Sequence, residues 1–338
     1  MSQAEGALTT GGLGESGLRR WSRRALSIST YTLAWLLALA LAPFAGLAAA
    51  LTRSTTARLA LYAAVFLSYE VIGLAASLGL FVAGRARDRE AHGVLQRWWA
   101  CGLFRAAARI FRFQLVIDGD AAVEPGPLVV LIRHASLADT LLPEVVLANR
   151  HKLRLRYVLK RELLFDPCLD VVGQRLHCAF IQRGSGESER EIAAITALGR
   201  DLGPRDGAII YPEGTRFTAA KRLRALERIA GSGQSERLAR ARALRNVLPP
   251  RTAGPLALVE AAAPADALIV AHTGLEGLAS VRDLWSGGIV GRVIRVGLWR
   301  TPRSVIPQGR DALVHWLDAE WARVDAWIES ARKEQAVG

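Results

Sequence analysis

Two short stretches place reactive side chains at the ends of apolar runs. In Leu128-Val-Val-Leu-Ile-Arg-His134-Ala-Ser-Leu-Ala-Asp139 a β-branched run stops at a histidine, and an aspartate follows five positions later. In Ala208-Ile-Ile-Tyr-Pro-Glu213-Gly214-Thr215-Arg216 a second run stops at a polar turn. A histidine takes up a proton near neutral pH. A carboxylate on its other ring nitrogen fixes the tautomer and stabilises the imidazolium that forms. Residues five apart on one helix point about 140° apart. The spacing therefore predicts His134 in a turn before a helix and Asp139 in that helix's first turn. Ser136-Leu-Ala-Asp139 also has the pattern of a helix cap, so a purely structural Asp139 is the competing reading. Arg183, in Phe180-Ile-Gln-Arg183, and Arg216 suit phosphate, because a guanidinium matches its oxygens in a bidentate way. Lys160 is a weaker candidate for the same duty.

The elements that must position these residues are legible as short apolar runs. Runs at 114–117, 128–132, 155–159, 177–181, 208–211, 268–271 and 293–298 read as strands, with helical stretches at 143–148 and 187–202 between them. This alternation predicts an α/β domain with a mixed or largely parallel sheet flanked by helices. Both reactive stretches then fall at the carboxyl ends of strands, where such sheets place ligands. Apolar residues at helical spacing over 311–332 predict a terminal helix packed on the core.

The chain has 338 residues, 51% apolar and 22% charged, with 44 basic against 31 acidic residues and a net charge of +13. Such a balance favours anionic partners. No nucleic-acid motif or aromatic-interleaved basic run is present, so an anionic lipid surface is preferred to nucleic acid. Residues 27–51 and 59–83 are apolar runs, each long enough for a bilayer that needs about 20 such residues. Arginines cluster before the first run and after the second. The charge rule for loops then predicts a hairpin in the cytoplasmic (inner) membrane with both ends in the cytoplasm. The domain division read from this is a disordered basic tail at 1–24, a transmembrane hairpin at 25–84, an interfacial amphipathic linker helix at 85–113 and a soluble-type domain at 114–335. Glu70 lies inside the second run and is expected to be protonated or bonded between helices. Three cysteines, Cys101, Cys168 and Cys178, without metal-site spacing, predict reduced thiols and no metal.

At His134-x4-Asp139, Phe180-Ile-Gln-Arg183 and Glu213-Gly-Thr-Arg216, in that order, the chain resembles the glycerolipid acyltransferases typified by 1-acylglycerol-3-phosphate acyltransferase. Val158-Leu-Lys160-Arg-Glu-Leu163, Glu213 to Thr218, and Leu248-Pro-Pro-Arg251-Thr-Ala-Gly254 look like segments of the family's eukaryotic-type branch. The resemblance spans residues 126–270. Arg133 stands where asparagine usually precedes the histidine, Leu137 where tryptophan is common, and Pro255 where phenylalanine follows the glycine. The resemblance implies a membrane-bound O-acyltransferase that moves a fatty acyl group from acyl-CoA, its co-substrate, to a lysophospholipid hydroxyl, without a further cofactor. His134 and Asp139 would be catalytic. Arg183, Lys160, Glu213, Gly214, Thr215 and Arg216 would form the substrate site, with Glu213 positioning Arg216 or the acceptor glycerol. The implied acceptor is 1-acylglycerol 3-phosphate. Two alternatives stay open: a remodelling enzyme for another lysolipid, and a non-catalytic membrane lipid-binding adaptor.

Overall fold

The structure, a computed structural model, describes residues 15–123, 126–181, 189–278, 283 and 285–337, with side chains to residue 335. Its strands are β1 (Gln114–Asp118), β2 (Leu128–Ile132), β3 (Arg154–Lys160), β4 (Cys178–Ile181), β5 (Asp206–Ile210), β6 (Asp266–Thr273) and β7 (Val293–Thr301). Its α-helices are α1 (Gly17–Thr52), α2 (Thr55–Val82), α3 (Arg89–Phe111), α4 (Pro167–Val171), α5 (Glu189–Gly199), α6 (Ala219–Gly231), α7 (Ser235–Ala243), α8 (Ala253–Ala261) and α9 (Arg310–Val337).

Among the described residues the strands form one sheet in the order β1-β7-β6-β2-β5-β3-β4. All pairs are parallel except β6 with β7. Every residue of β2 and β5 is buried, as expected of central strands covered on both faces. On one face Val129, Leu131, Ile210 and Ile269 pack with α5, α8 and the apolar side of α9, where Leu317, Trp321, Val324 and Ile328 are fully buried. On the other, Leu128, Val130, Ile209 and Leu268 pack with Phe104 and Phe111 of α3 and with a π-helical turn, Glu144–Asn149.

The register places the functional stretches together. Leu131 of β2 lies beside Ile210 of β5 and Ile269 of β6. The next residues of each chain therefore emerge side by side: His134 after β2, Tyr211 to Glu213 after β5, and His272 in the last turn of β6.

The two apolar runs form α1 and α2, both long and apolar enough to cross a bilayer. They meet at Arg53, in the left-handed conformation (φ 55°), and Trp35 Nε1 donates to Ser68 Oγ between them at 3.0 Å. The first helix starts at Gly17, capped by Ser16, so residues 17–24 are helix and not the disordered tail expected. The cause is tertiary. Arg23 and Arg24 reach the fully buried carboxylate of Asp170 in α4, at 2.6 and 3.0 Å. Residues 1–14 lie outside the described residues. Glu70 is bonded between elements: it accepts from Trp99 Nε1 of α3 at 2.8 Å and from the Cys168 amide of α4 at 3.1 Å. The linker helix α3 is packed on one side, where Ala100 to Phe104 and Phe111 are buried against α2 and the sheet, while Val94 and Trp98 stay exposed.

Candidate active site

His134 follows β2 directly, and its backbone is tied down on both sides. Its amide donates to Glu213 Oε1 at 2.8 Å, and its carbonyl accepts from the Phe217 amide at 3.1 Å. The chain then turns. Ser136 Oγ accepts from the amides of Ala138 and Asp139, both at 3.0 Å, and starts a 3₁₀ turn over Ala138–Leu141. That turn brings Asp139 back to the histidine, with Oδ1 3.1 Å from His134 Nδ1. Asp139 Oδ2 also accepts from the amides of Ala135 and Ser136 at 2.7 and 2.8 Å. The capping role and the histidine partnership are thus both realised by one carboxylate. Burial pushes Asp139 up, but the hydrogen bond and charge of His134 and the Ser136 amide hold it below the usual carboxylate range. It is an anion at neutral pH and keeps Nδ1 of His134 protonated. Nε2, the nitrogen left free of this bond, is the one able to take a proton.

Glu213 does something the sequence did not indicate. Its two oxygens accept from two backbone amides, His134 N and Leu248 N (2.9 Å), and neither reaches Arg216. It is a buried clamp between three loops. Burial raises its carboxyl to about 7, against the amides and the charge of Arg133. Gly214 beside it has φ +66°, and a Cβ there would lie 2.7 Å from Arg251 Nε, so both conformation and space require glycine. Thr215 Oγ1 accepts from Lys221 Nζ at 2.9 Å.

Behind the pair sits a polar network built on Arg133. Its guanidinium is 1% exposed, pairs with Glu276 at 2.6 Å and donates to the Asn246 carbonyl at 2.9 Å. Burial works against Glu276, but Arg133 and Arg332 hold its carboxyl far below the usual range. His272, fully buried, lies 3.6 Å from Asp139 and 3.0 Å from the Arg133 carbonyl. Burial and the charge of Arg133 lower its pKa to about 4, against Asp139, so it is neutral. Arg133 therefore faces inward, and this departure from the usual asparagine does not touch the cavity.

The pair opens on a cavity of about 670 Å³. Its walls include Leu95, Trp99, Ala100, Leu141, Leu159, Leu163 and Val172, and Tyr211 packs on the His134 ring at 4.6 Å. Lys160, Arg216, Lys221, Arg224, Arg228 and Arg251 also line it, with Arg224 and Arg228 exposed. Arg216 Nη1 and Arg251 Nε are buried donors without a partner. Lys160 is paired with Glu162 at 3.0 Å. Among the sequence candidates, His134, Asp139, Lys160, Glu213, Gly214, Thr215 and Arg216 converge here; Arg183 lies outside the described residues. Lys221, Arg251, Tyr211 and His272 join the site without a spacing signal that would have marked them. Tyr211 and Arg251 stood in quoted stretches, with no role attached to either.

A histidine–carboxylate pair at the carboxyl ends of a mostly parallel sheet, facing a large cavity, is the arrangement of an α/β enzyme. Residues 114–269 match the family model described as Acyltransferase. Among solved structures, the crystal structure of the 1-acyl-sn-glycerophosphate (LPA) acyltransferase PlsC from Thermotoga maritima is similar over 91% of this chain and 98% of that one, with TM-score 0.47 and 14% identity. No curated protein sequence matches the chain.

Proposed function

We propose that this enzyme moves a fatty acyl group from acyl-CoA to the free hydroxyl of a lysophospholipid at the cytoplasmic face of a membrane. The favoured acceptor is 1-acylglycerol 3-phosphate, giving phosphatidic acid. One observation carries the reading: a single cavity joins apolar walls, the His134–Asp139 pair and a set of cations that includes buried, unpartnered donors. Hydrocarbon suits the first, a hydroxyl the second and a phosphate the third. The two apolar helices support a membrane setting.

In this account His134 Nε2 removes the acceptor's hydroxyl proton as its oxygen attacks the thioester carbonyl. Asp139 stabilises the imidazolium. The tetrahedral intermediate collapses, the C–S bond breaks, and His134 returns the proton to the leaving thiolate. The products are the ester and free CoA thiol, with no covalent enzyme intermediate, because the thioester is already activated. Arg216, with Arg183, holds the acceptor phosphate through charge-assisted hydrogen bonds. Glu213 positions His134 through its backbone. The test is release of free CoA thiol over a panel of lysolipids, with lysophosphatidate expected to be used best. Use of another lysolipid in preference would make this a remodelling enzyme. Thiol release with none of them would leave the adaptor reading.

A further inference from the structure

The reaction leaves a buried carboxyl in the cavity without a task. Glu144 begins the π-helical turn, is 5% exposed and lines the cavity. Its Oε1 accepts both the Tyr157 hydroxyl, at 2.7 Å, and the Gln96 side-chain amide, at 2.6 Å. Its Oε2 is equally buried and accepts nothing. A buried carboxylate oxygen without a donor is costly, and a plain hydrocarbon chain lying in the cavity would offer it none.

The position of Glu144 is fixed from two sides. Gln96 lies on α3. Tyr157 lies in β3 opposite Ile209, two residues before Tyr211, which packs on His134. Two residues along a strand are roughly 7 Å, and they share one face of the sheet. The carboxylate thus stands deeper along the same face as the reacting centre, among Leu95, Trp99 and Leu159. That is where a chain attached at His134 would pass. Glu144 and Gln96 also border a smaller polar cleft of about 210 Å³, from which a water could reach the same oxygen.

We propose that Glu144 Oε2 is a recognition point for a hydroxyl group on the acyl chain bound in this cavity, so that the enzyme prefers hydroxylated to plain chains. The hydroxyl donates to the carboxylate oxygen, while Tyr157 and Gln96 hold the other oxygen in place. The inference rests on the acyl-transfer reading and refines its substrate class. It does not depend on which head group the acceptor carries.

The test uses the full chain in nanodiscs and pairs of substrates of equal length, plain and hydroxylated at carbon 3, mid-chain or the chain end. In one arm the hydroxyl is on the acyl-CoA, in the other on the lysolipid chain, which identifies the chain that occupies the site. At least one hydroxylated isomer should show kcat/KM about tenfold above its plain partner, the effect of one buried hydrogen bond. Glu144→Leu should abolish that preference while plain chains are still transferred. Glu144→Gln, which offers a neutral partner of the same shape, should keep a reduced preference, and it reads the effect even if the leucine variant does not fold. Binding of unreactive thioether analogues of the same acyl-CoAs, by equilibrium dialysis, should show the same ratio. Absence of any preference in wild type would mean that a water fills the site, and the inference would be overturned. A preference unchanged in Glu144→Leu or Glu144→Gln would overturn it too. Absence of turnover with every pair would instead sink the acyl-transfer reading, and the dialysis ratio would then decide the role of Glu144.

Discussion

Replacing Glu213 separates two roles for this residue. If its carboxylate holds the amides of His134 and Leu248, at 2.8 and 2.9 Å, then Glu213→Gln keeps one acceptor and turns an NH₂ group toward the other amide. One buried N–H loses its partner, at about 1–3 kcal/mol. Glu213→Ala orphans both, at about 2–6 kcal/mol by the same reckoning. The loops that carry His134 and Leu248 also come apart, and a shift of the histidine by an ångström is worth on the order of 10²-fold in rate. The assay is steady-state kinetics with each substrate varied, alongside thermal unfolding in detergent. Both variants should lose thermal stability, alanine more than glutamine, with kcat falling and the lysolipid KM little changed. A Glu213→Gln enzyme with unaltered Tm and kcat but a raised lysolipid KM would refute the clamp and restore Glu213 to the acceptor.

Arg216→Ala should raise the lysophosphatidate KM about tenfold per lost contact while the acyl-CoA KM moves little, and Arg183→Ala should do the same; a rise in the acyl-CoA KM instead would move these arginines to the donor. His272 should make part of the domain's stability acid-labile. Burial of His272 holds its pKa near 4 against about 6.5 in an unfolded chain, so the unfolded state binds the extra proton as pH falls from 6.5 towards 4. Full loss at this site is about 3 kcal/mol, and His177, also lowered to about 4 by burial, acts in the same direction. Glu213, raised to about 7 by burial, acts in the opposite direction, so the His272 contribution is read as a difference: in equilibrium unfolding from pH 7.5 to 4.5, the wild type should lose stability relative to His272→Gln as pH falls. Reporter fusions at Thr55 and at the carboxyl terminus should lie on opposite sides of the membrane; the same side for both would exclude the hairpin.

Much of the fold was legible because a central parallel strand is buried on both faces and reads as an unbroken apolar run. All seven expected strands are present, β2 with the expected ends and the others with ends that differ by at most three residues. The extension of β6 to Thr273 passes through His272, which is polar in sequence but buried in the sheet. The His134–Asp139 meeting was legible from spacing, since Ser136 and Asp139 carry the turn chemistry locally. What was not legible depends on partners distant in sequence. Nothing near Glu213 announces the Leu248 amide, nothing near Arg133 announces Glu276, and nothing in the basic run at 19–24 announces Asp170. Helix α3 read as interfacial because its aromatic and basic residues suit a membrane surface equally well. Only the fold shows that Phe104 and Phe111 are spent on the core.

The central claim is that His134 is the base of an acyl transfer. The most direct measurement is release of CoA thiol from acyl-CoA with lysophosphatidate, for wild type and His134→Ala. The account predicts thiol release that requires the lysolipid, a 10²–10⁴-fold lower rate in the variant, and little change in Tm, because the ring is held by Asp139 at the edge of an open cavity. A His134→Ala enzyme that transfers acyl groups at the wild-type rate would contradict it.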